Sequence, residues 1–166
     1  MLVTRKIGHP SNPEFAIGAV MPDGQAVLDK TTIRLSHVSK EYLEETIATQ
    51  YAELKRRLLH YTGQTTPPEV TGKTAILVDD GIATGYTMKA AIKWLKTLKP
   101  AKIIVAVPVA PPETIEELRR LVDMVICPLQ PESFLAVGVY YVEFPQTSDE
   151  EAIALLQESR LSEVLE

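Results

Sequence analysis

The chain has 166 residues, 45% of them hydrophobic and 23% charged, which suits one globular domain with a core that needs no covalent staples. A net charge of −5 and a pI near 5.3 exclude a broad nucleic-acid-binding surface and leave room only for a local basic spot. The single cysteine, Cys127, excludes a disulfide framework and suits a reducing compartment; inside the apolar run MVIC it reads as a core residue. The opening MLVTRKIGHP carries no long apolar leader, and no apolar run approaches the roughly 18 residues of a membrane span. A cytoplasmic domain with no membrane contact and no nucleic-acid partner is expected.

In chain order, residues 2–7 read as a short strand. Residues 14–29 carry two apolar arms around Pro22, Asp23 and Gly24, the pattern of a β-hairpin. Over 39–60, Leu43, Ile47, Tyr51, Leu54 and Leu58 recur at helical spacing behind Ser39, a good N-cap. A loop follows over 62–73, then an apolar strand over 74–78. A helix is predicted over 87–98, buried through Met88, Ala91, Ile92 and Leu95, with Trp94 packing beside them and Pro100 stopping it. A strand over 102–109, a proline-started helix over 112–122 and a strand over 124–127 complete the alternation. Uniformly apolar strands between helices predict a parallel sheet covered on both faces. FLAVGVYYVEF, at 134–144, reads as strand-like. The tail from Ser148 reads as an amphipathic helix opening on a capping box with Glu151. The whole chain, 1–166, reads as one α/β domain.

The chemistry concentrates in AILVDDGIATGYTMKAA, residues 75–91. Asp79 and Asp80 stand together at the carboxyl end of an apolar strand, where open parallel sheets bind ligands. A helix begins a few residues later, and its unpaired N-terminal amides attract an anion. Gly81 and Gly85 let the backbone turn and approach a ligand, while Thr84 and Thr87 add hydroxyls. The stretch offers a phosphate cradle beside a pair of acceptors for hydroxyls, the two features a sugar phosphate needs. The bland alternative, a strand-to-helix turn with an aspartate near the N-cap, explains one carboxylate but not this run. A P-loop is excluded because Tyr86 stands where its lysine belongs, and G-x-G-x-x-G is absent.

VDDGIATGYT resembles the phosphoribosyl-pyrophosphate (PRPP) motif of type I phosphoribosyltransferases. VTRKIGHPSNPEFAIGAV and FLAVGVYYVEF resemble segments of a little-characterised bacterial branch of that family. The resemblance implies a type I phosphoribosyltransferase-like fold: a parallel sheet flanked by helices, a β-hairpin flap and the C-terminal amphipathic helix. It implies that Asp79 and Asp80 are the catalytic acids holding the ribose hydroxyls, and that Gly81, Ala83, Thr84, Gly85, Tyr86 and Thr87 form the 5′-phosphate loop. Phosphoribose would pass from PRPP to a small-molecule acceptor, such as a nucleobase, with release of pyrophosphate. Mg²⁺ would come on PRPP and not on a dedicated protein site. A homodimer is compatible with the family.

By the same resemblance, Arg5 and Lys6 would contact pyrophosphate, although charge alone reads them as a solvated strand end. The hairpin over 14–29 would be a lid. Phe134 would stack on the acceptor, against an equal reading as packing; Tyr140, Tyr141 and Phe144 read as core or interface. His9, His37 and His60 show no metal-ligand spacing. Two 6-oxopurine markers are missing: Ala83 replaces a third acid, and VPVAPPE lacks a lysine. DDGIATG is closer to the adenine-type pattern. The first core strand and its pyrophosphate loop, which resemble Pro-Arg-Gly-Gly in this branch, are expected to be absent, which would leave weak or no catalysis and expose apolar surface. A non-catalytic PRPP-binding sensor is the alternative from another class. A phospho-acceptor receiver domain is disfavoured, because the acid pair comes late and Lys102 is the last lysine.

Overall fold

The computed structural model describes residues 4–63 and 69–162. The start of the first expected strand and the middle of the expected loop over 62–73 lie outside the described residues.

Two sheets form. The first is antiparallel, in the order β1 (Arg5–His9), β2 (Asn12–Val20), β3 (Ala26–Leu28). Ile7 pairs with Gly18 and Gly8 with Ala16, so Ile17 is the extra residue of a bulge. The shift turns Ile17 to the side of Val20, where both pack with Ile7 against Leu43, Ile47 and Tyr51. Those three residues belong to α2 (Lys40–Thr62), which starts at the predicted N-cap: Ser39 Oγ accepts from the Tyr42 N–H at 3.1 Å. It ends at Gly63, whose φ of 66° is left-handed. The other side of the first sheet, through Ala19 and Met21, packs on Ala90 and Trp94 of α3 (Tyr86–Thr97). This sheet is therefore buried on both faces.

The second sheet is parallel, in the order β4 (Thr74–Val78), β5 (Lys102–Ala106), β6 (Met124–Ile126). Helix α3 links β4 to β5, and α4 (Pro112–Arg119) links β5 to β6. Met88, Ile92, Ile115 and Leu118 from these helices meet Leu77, Val105 and Val125 in the main core. Pro108 cannot donate to a ladder, so β5 ends at Ala106; a single bridge from Val109 to Leu129 continues the pairing. The expected cover on both faces is present on one only. Ile76, Val78, Met124 and Ile126 are between 51% and 73% exposed, and among the described residues β4 pairs with nothing on its outer edge.

Three further features have local causes. A short helix, α1 (Lys30–Leu35), forms where the sequence pattern predicts none; the Asp29 carboxylate caps it by accepting from the Thr31 and Thr32 N–H groups. FLAVGVYYVEF is not a strand: Val137–Tyr140 is a 3₁₀ turn. Gly138 allows the chain to fold back on Phe144, whose ring would lie 2.8 Å from a Cβ at that position. The C-terminal α5 (Asp149–Ser162) forms as expected, with Ser148 Oγ accepting from the Glu151 N–H at 3.1 Å. It joins α2 through Tyr61, whose hydroxyl donates to Asp149 at 2.5 Å.

Candidate functional site

Strand β4 carries its alternation past its end and so separates the two carboxylates. Asp79 lines a cavity of about 550 Å³ along the outer edge of β4, and Asp80 lines a second of about 600 Å³. Thr87 borders both. The Asp80 N–H donates to Asp79 Oδ1 at 3.1 Å. Asp79 keeps exposed surface as a residue, yet the protein packed around its carboxyl pushes its pKa up, and the neighbouring Asp80 charge adds to that.

The loop after the pair is held from behind and open in front. A Cβ on Gly81 would lie 2.6 Å from Val137 Cγ1 and 3.0 Å from Val109 Cγ1, so only glycine passes there without displacing them. The Ile82 N–H donates to the Val109 carbonyl at 2.9 Å, and Thr114 Oγ1 donates to the Ala83 carbonyl at 2.9 Å. Gly85, at φ 72°, turns the chain into α3 and serves as its N-cap. No side chain caps this helix, so its first amides remain available to an anion. Ala83 and Thr84 are exposed at the tip, and Gly81, Ala83, Thr84, Gly85 and Thr87 line the same cavity as Asp80.

Tyr86 does not line that cavity. Its hydroxyl donates to Asp29 Oδ2 at 2.5 Å and so ties the start of α3 to the end of the hairpin. Burial and the Asp29 carboxylate push the Tyr86 phenol above its ordinary pKa. Lys89, which pairs with Glu117, sits 5.0 Å over the Tyr86 ring. The hairpin is thus braced. The part bordering the cavity is the start of β2, at Glu14, Phe15 and Ala16, while the Pro22–Gly24 turn rests against Tyr51.

Arg5 and Lys6 diverge, as neighbours on a strand do. Lys6 borders the Asp80 cavity, with Nζ 3.0 Å from Glu14 Oε2. Arg5 borders an adjoining cavity of about 490 Å³, shared with Lys6 and Thr87, and its Nε donates to Gln50 Oε1 at 3.1 Å. Burial, then the nearby Arg57, lowers the Arg5 pKa. Phe134 lines none of these cavities and stacks on Tyr140 at 5.4 Å between centroids. The aromatic wall of the Asp80 cavity is Phe15 and Phe144, with Val137 between the loop and the 3₁₀ turn. Tyr141 supports that wall: its hydroxyl donates to the Asp80 carbonyl at 2.5 Å. Phe144, read from sequence as core or interface, is 50% exposed toward solvent. Neither Phe15 nor Thr114 gives a sequence signal, since each reaches the loop across a long chain separation. Among the described residues no group of three or more His, Cys, Asp or Glu side chains could hold a metal, and none of the helices there is long and apolar enough to cross a membrane.

Comparison with known proteins gives the same direction. The family model for the phosphoribosyl transferase domain matches residues 27–144. Two curated relatives from Mycobacterium tuberculosis, strains CDC 1551 and H37Rv, carry the words phosphoribosyl transferase in their names; each is 38% identical over 156 residues, 94% of this chain. The chain spans only 35% of the length of those relatives. The crystal structure of TT1426 from Thermus thermophilus superposes with a TM-score of 0.72 at 39% identity, covering 95% of this chain and 74% of that one. With the motif, the sheet that presents it and the matched span in agreement, the chain belongs to the phosphoribosyl transferase domain family.

Proposed function

We propose that this domain binds PRPP with Mg²⁺ and transfers its phosphoribose to a small planar acceptor with release of pyrophosphate. The observation that carries this reading is one cavity of about 600 Å³ uniting Asp80, the uncapped helix start behind residues 81–85, Lys6 and an aromatic wall. The 5′-phosphate fits the loop amides and the Thr84 and Thr87 hydroxyls. The ribose hydroxyls fit Asp80 and its neighbour Asp79, whose cavities meet at Thr87. The acceptor fits between Phe15 and Phe144.

In the reaction, the bond from ribose C1 to pyrophosphate breaks and its electron pair leaves with pyrophosphate. A lone pair on the acceptor, such as a ring nitrogen, forms the new bond to C1, and the acceptor proton passes to solvent or to a nearby base. The transition state carries positive charge on the sugar, as in glycosyl transfer generally, and the two carboxylates favour it. Asp79 and Asp80 offer hard oxygens that would suit Mg²⁺ carried on PRPP. When bound, the ion neutralises the departing pyrophosphate.

The test is calorimetry with PRPP and Mg²⁺. Saturable binding is expected, weakened by about tenfold or more in the Asp79→Asn/Asp80→Asn double variant, as loss of charged hydrogen bonds dictates. No binding, or equal binding by the double variant, overturns the reading. A second reading, PRPP binding without transfer, has one observation in its favour: both candidate pyrophosphate cations are engaged elsewhere, Lys6 by Glu14 and Arg5 by Gln50. Pyrophosphate release in the presence of a panel of bases separates the two.

A further inference from the structure

Helix α2 turns two stripes toward the first sheet. Leu43, Ile47 and Tyr51 pack in the core. Beside them Tyr42, Thr46 and Gln50 are spaced four apart, share one side of the helix, and line the cavity of about 490 Å³ that Arg5, Lys6 and Thr87 also border. The Tyr42 hydroxyl donates to the Gly8 carbonyl at 2.9 Å. Gln50 Oε1 accepts from Arg5 Nε at 3.1 Å, and among the described residues the two terminal nitrogens of Arg5 make no hydrogen bond. A guanidinium held at Nε keeps its terminal N–H edge for a ligand. The two cations of β1 therefore differ. Lys6 is paired with the Glu14 carboxylate at 3.0 Å, whereas Arg5 is held by a neutral amide and its charge stays uncompensated. Glu53, the carboxylate near enough to act on Arg5, is committed to Arg56 and Arg57.

We propose that Gln50 is a positioning residue: it aims the Arg5 guanidinium into the cavity between β1 and α2 and leaves its charge for a phosphate-type oxyanion. Glutamine suits this task better than its nearest substitutes. An apolar side chain would give Nε no acceptor, and the guanidinium would lose its orientation. A glutamate would accept from the same Nε, but it would also neutralise the cation and repel the anion. The Gln50 amide N–H groups and the Thr46 hydroxyl supply further donors on the same wall. The cavity meets the Asp80 cavity at Lys6 and Thr87, so an anion held there lies beside the proposed sugar-phosphate site. If the domain takes PRPP as proposed, this anion is the diphosphate end of that ligand, and only that identity rests on the PRPP reading.

The probe is inorganic pyrophosphate without metal, titrated calorimetrically into the whole chain, with chemical denaturation of each variant alongside. Gln50→Glu keeps the size of the side chain and gains a charge pair with Arg5, so its stability should equal or exceed the parent's. Its pyrophosphate affinity should nevertheless fall by about tenfold or more. Gln50→Leu should lose about threefold or more through the freed guanidinium. Arg5→Met should lose at least as much as Gln50→Glu, and adding Gln50→Glu to it should lower affinity by no more than about twofold, because Gln50 acts through Arg5. A merely structural role would move stability and affinity together. The proposal is overturned by a parent that does not bind pyrophosphate, by parent-like affinity in Gln50→Glu, by a loss of affinity matched by a loss of stability, or by a full further loss in the Arg5→Met background. PRPP is titrated in parallel. PRPP binding that depends on Asp79 and Asp80 but not on Gln50 removes this proposal alone; Gln50-dependent pyrophosphate binding in a chain that does not bind PRPP removes the proposed function alone.

Discussion

The two sheets reverse the usual pattern. Parallel sheets are normally the buried ones and antiparallel sheets the half-wet ones. Here the antiparallel sheet is closed on both sides, by α2 on one and α3 on the other. Among the described residues the parallel sheet has α3 and α4 on one side and exposed apolar side chains on the other. In β2 the residues from Ala16 to Val20 are all buried, while β4 alternates between exposed and half-buried. The difference separates two uses of apolar sequence. In the first sheet it holds the molecule together. In the second, one row holds it together and the other is exposed among the described residues, while the end of β4 leads into the glycine-bounded loop.

The largest test of that contrast compares the same substitution in both sheets. Ile17 is fully buried and Ile76 is 60% exposed. Ile17→Ala should cost about 2–5 kcal/mol in chemical denaturation. Ile76→Ala should stay within about 0.5 kcal/mol of the parent. A large loss at Ile76 would show that the bare face is already covered in solution. Next in size is Gly81→Ala, where the sheet end meets the 3₁₀ turn. The added methyl collides with Val137 and Val109, which should cost about 1–3 kcal/mol. It also displaces the Val137–Phe144 wall, so PRPP affinity should fall more than stability alone explains. A variant with parent-like affinity would detach that wall from the site.

What sequence shows of this protein follows the range of the interactions. The β4–loop–α3 unit is legible because its strand, glycines and helix stripe are adjacent in the chain, and each rule involved is local. Helix α2 is legible through Ser39 and its apolar period for the same reason. Sheet membership is not local. Arg5 and Lys6 read as a strand, but only pairing with β2 reveals that they belong to the antiparallel sheet and point different ways. The apolar run of β4 reads as a strand buried on both sides, and nothing in TAILV marks Ile76 as exposed. FLAVGVYYVEF has strand composition, yet Gly138 against Phe144 and Tyr141 against Asp80 bend it into the site wall. The short α1 is hidden by its β-branched threonines and isoleucine, which argue against a helix until the Asp29 cap is counted. In the site, the motif residues are visible from sequence and Phe15, Phe144 and Thr114 are not, since their roles depend on where distant segments arrive.

The smallest predicted effect concerns the polar tie between the first sheet and the start of α3. Tyr86→Phe removes the hydroxyl that donates to Asp29 and leaves the ring under Lys89. Burial by itself would raise the Asp29 pKa, but hydrogen bonds from Tyr86, Thr32 and Thr31 outweigh it and hold the carboxylate below its ordinary value. A carboxylate with a depressed folded pKa stabilises the protein above its unfolded pKa, and that stabilisation fades as pH falls through the folded value. In Tyr86→Phe the Asp29 pKa moves back toward the unfolded one. The difference in stability between parent and variant should therefore be largest at neutral pH, at about 1 kcal/mol. It should shrink once pH drops below the ordinary carboxylate range, because protonated Asp29 no longer accepts the charged bond. Denaturation at a series of pH values measures this directly. If the difference stays constant with pH, the hydroxyl acts through packing and not through the Asp29 charge. If there is no difference at any pH, the Tyr86–Asp29 bond does not brace the loop, and the contacts of Ile82, Gly85 and Thr114 hold its shape.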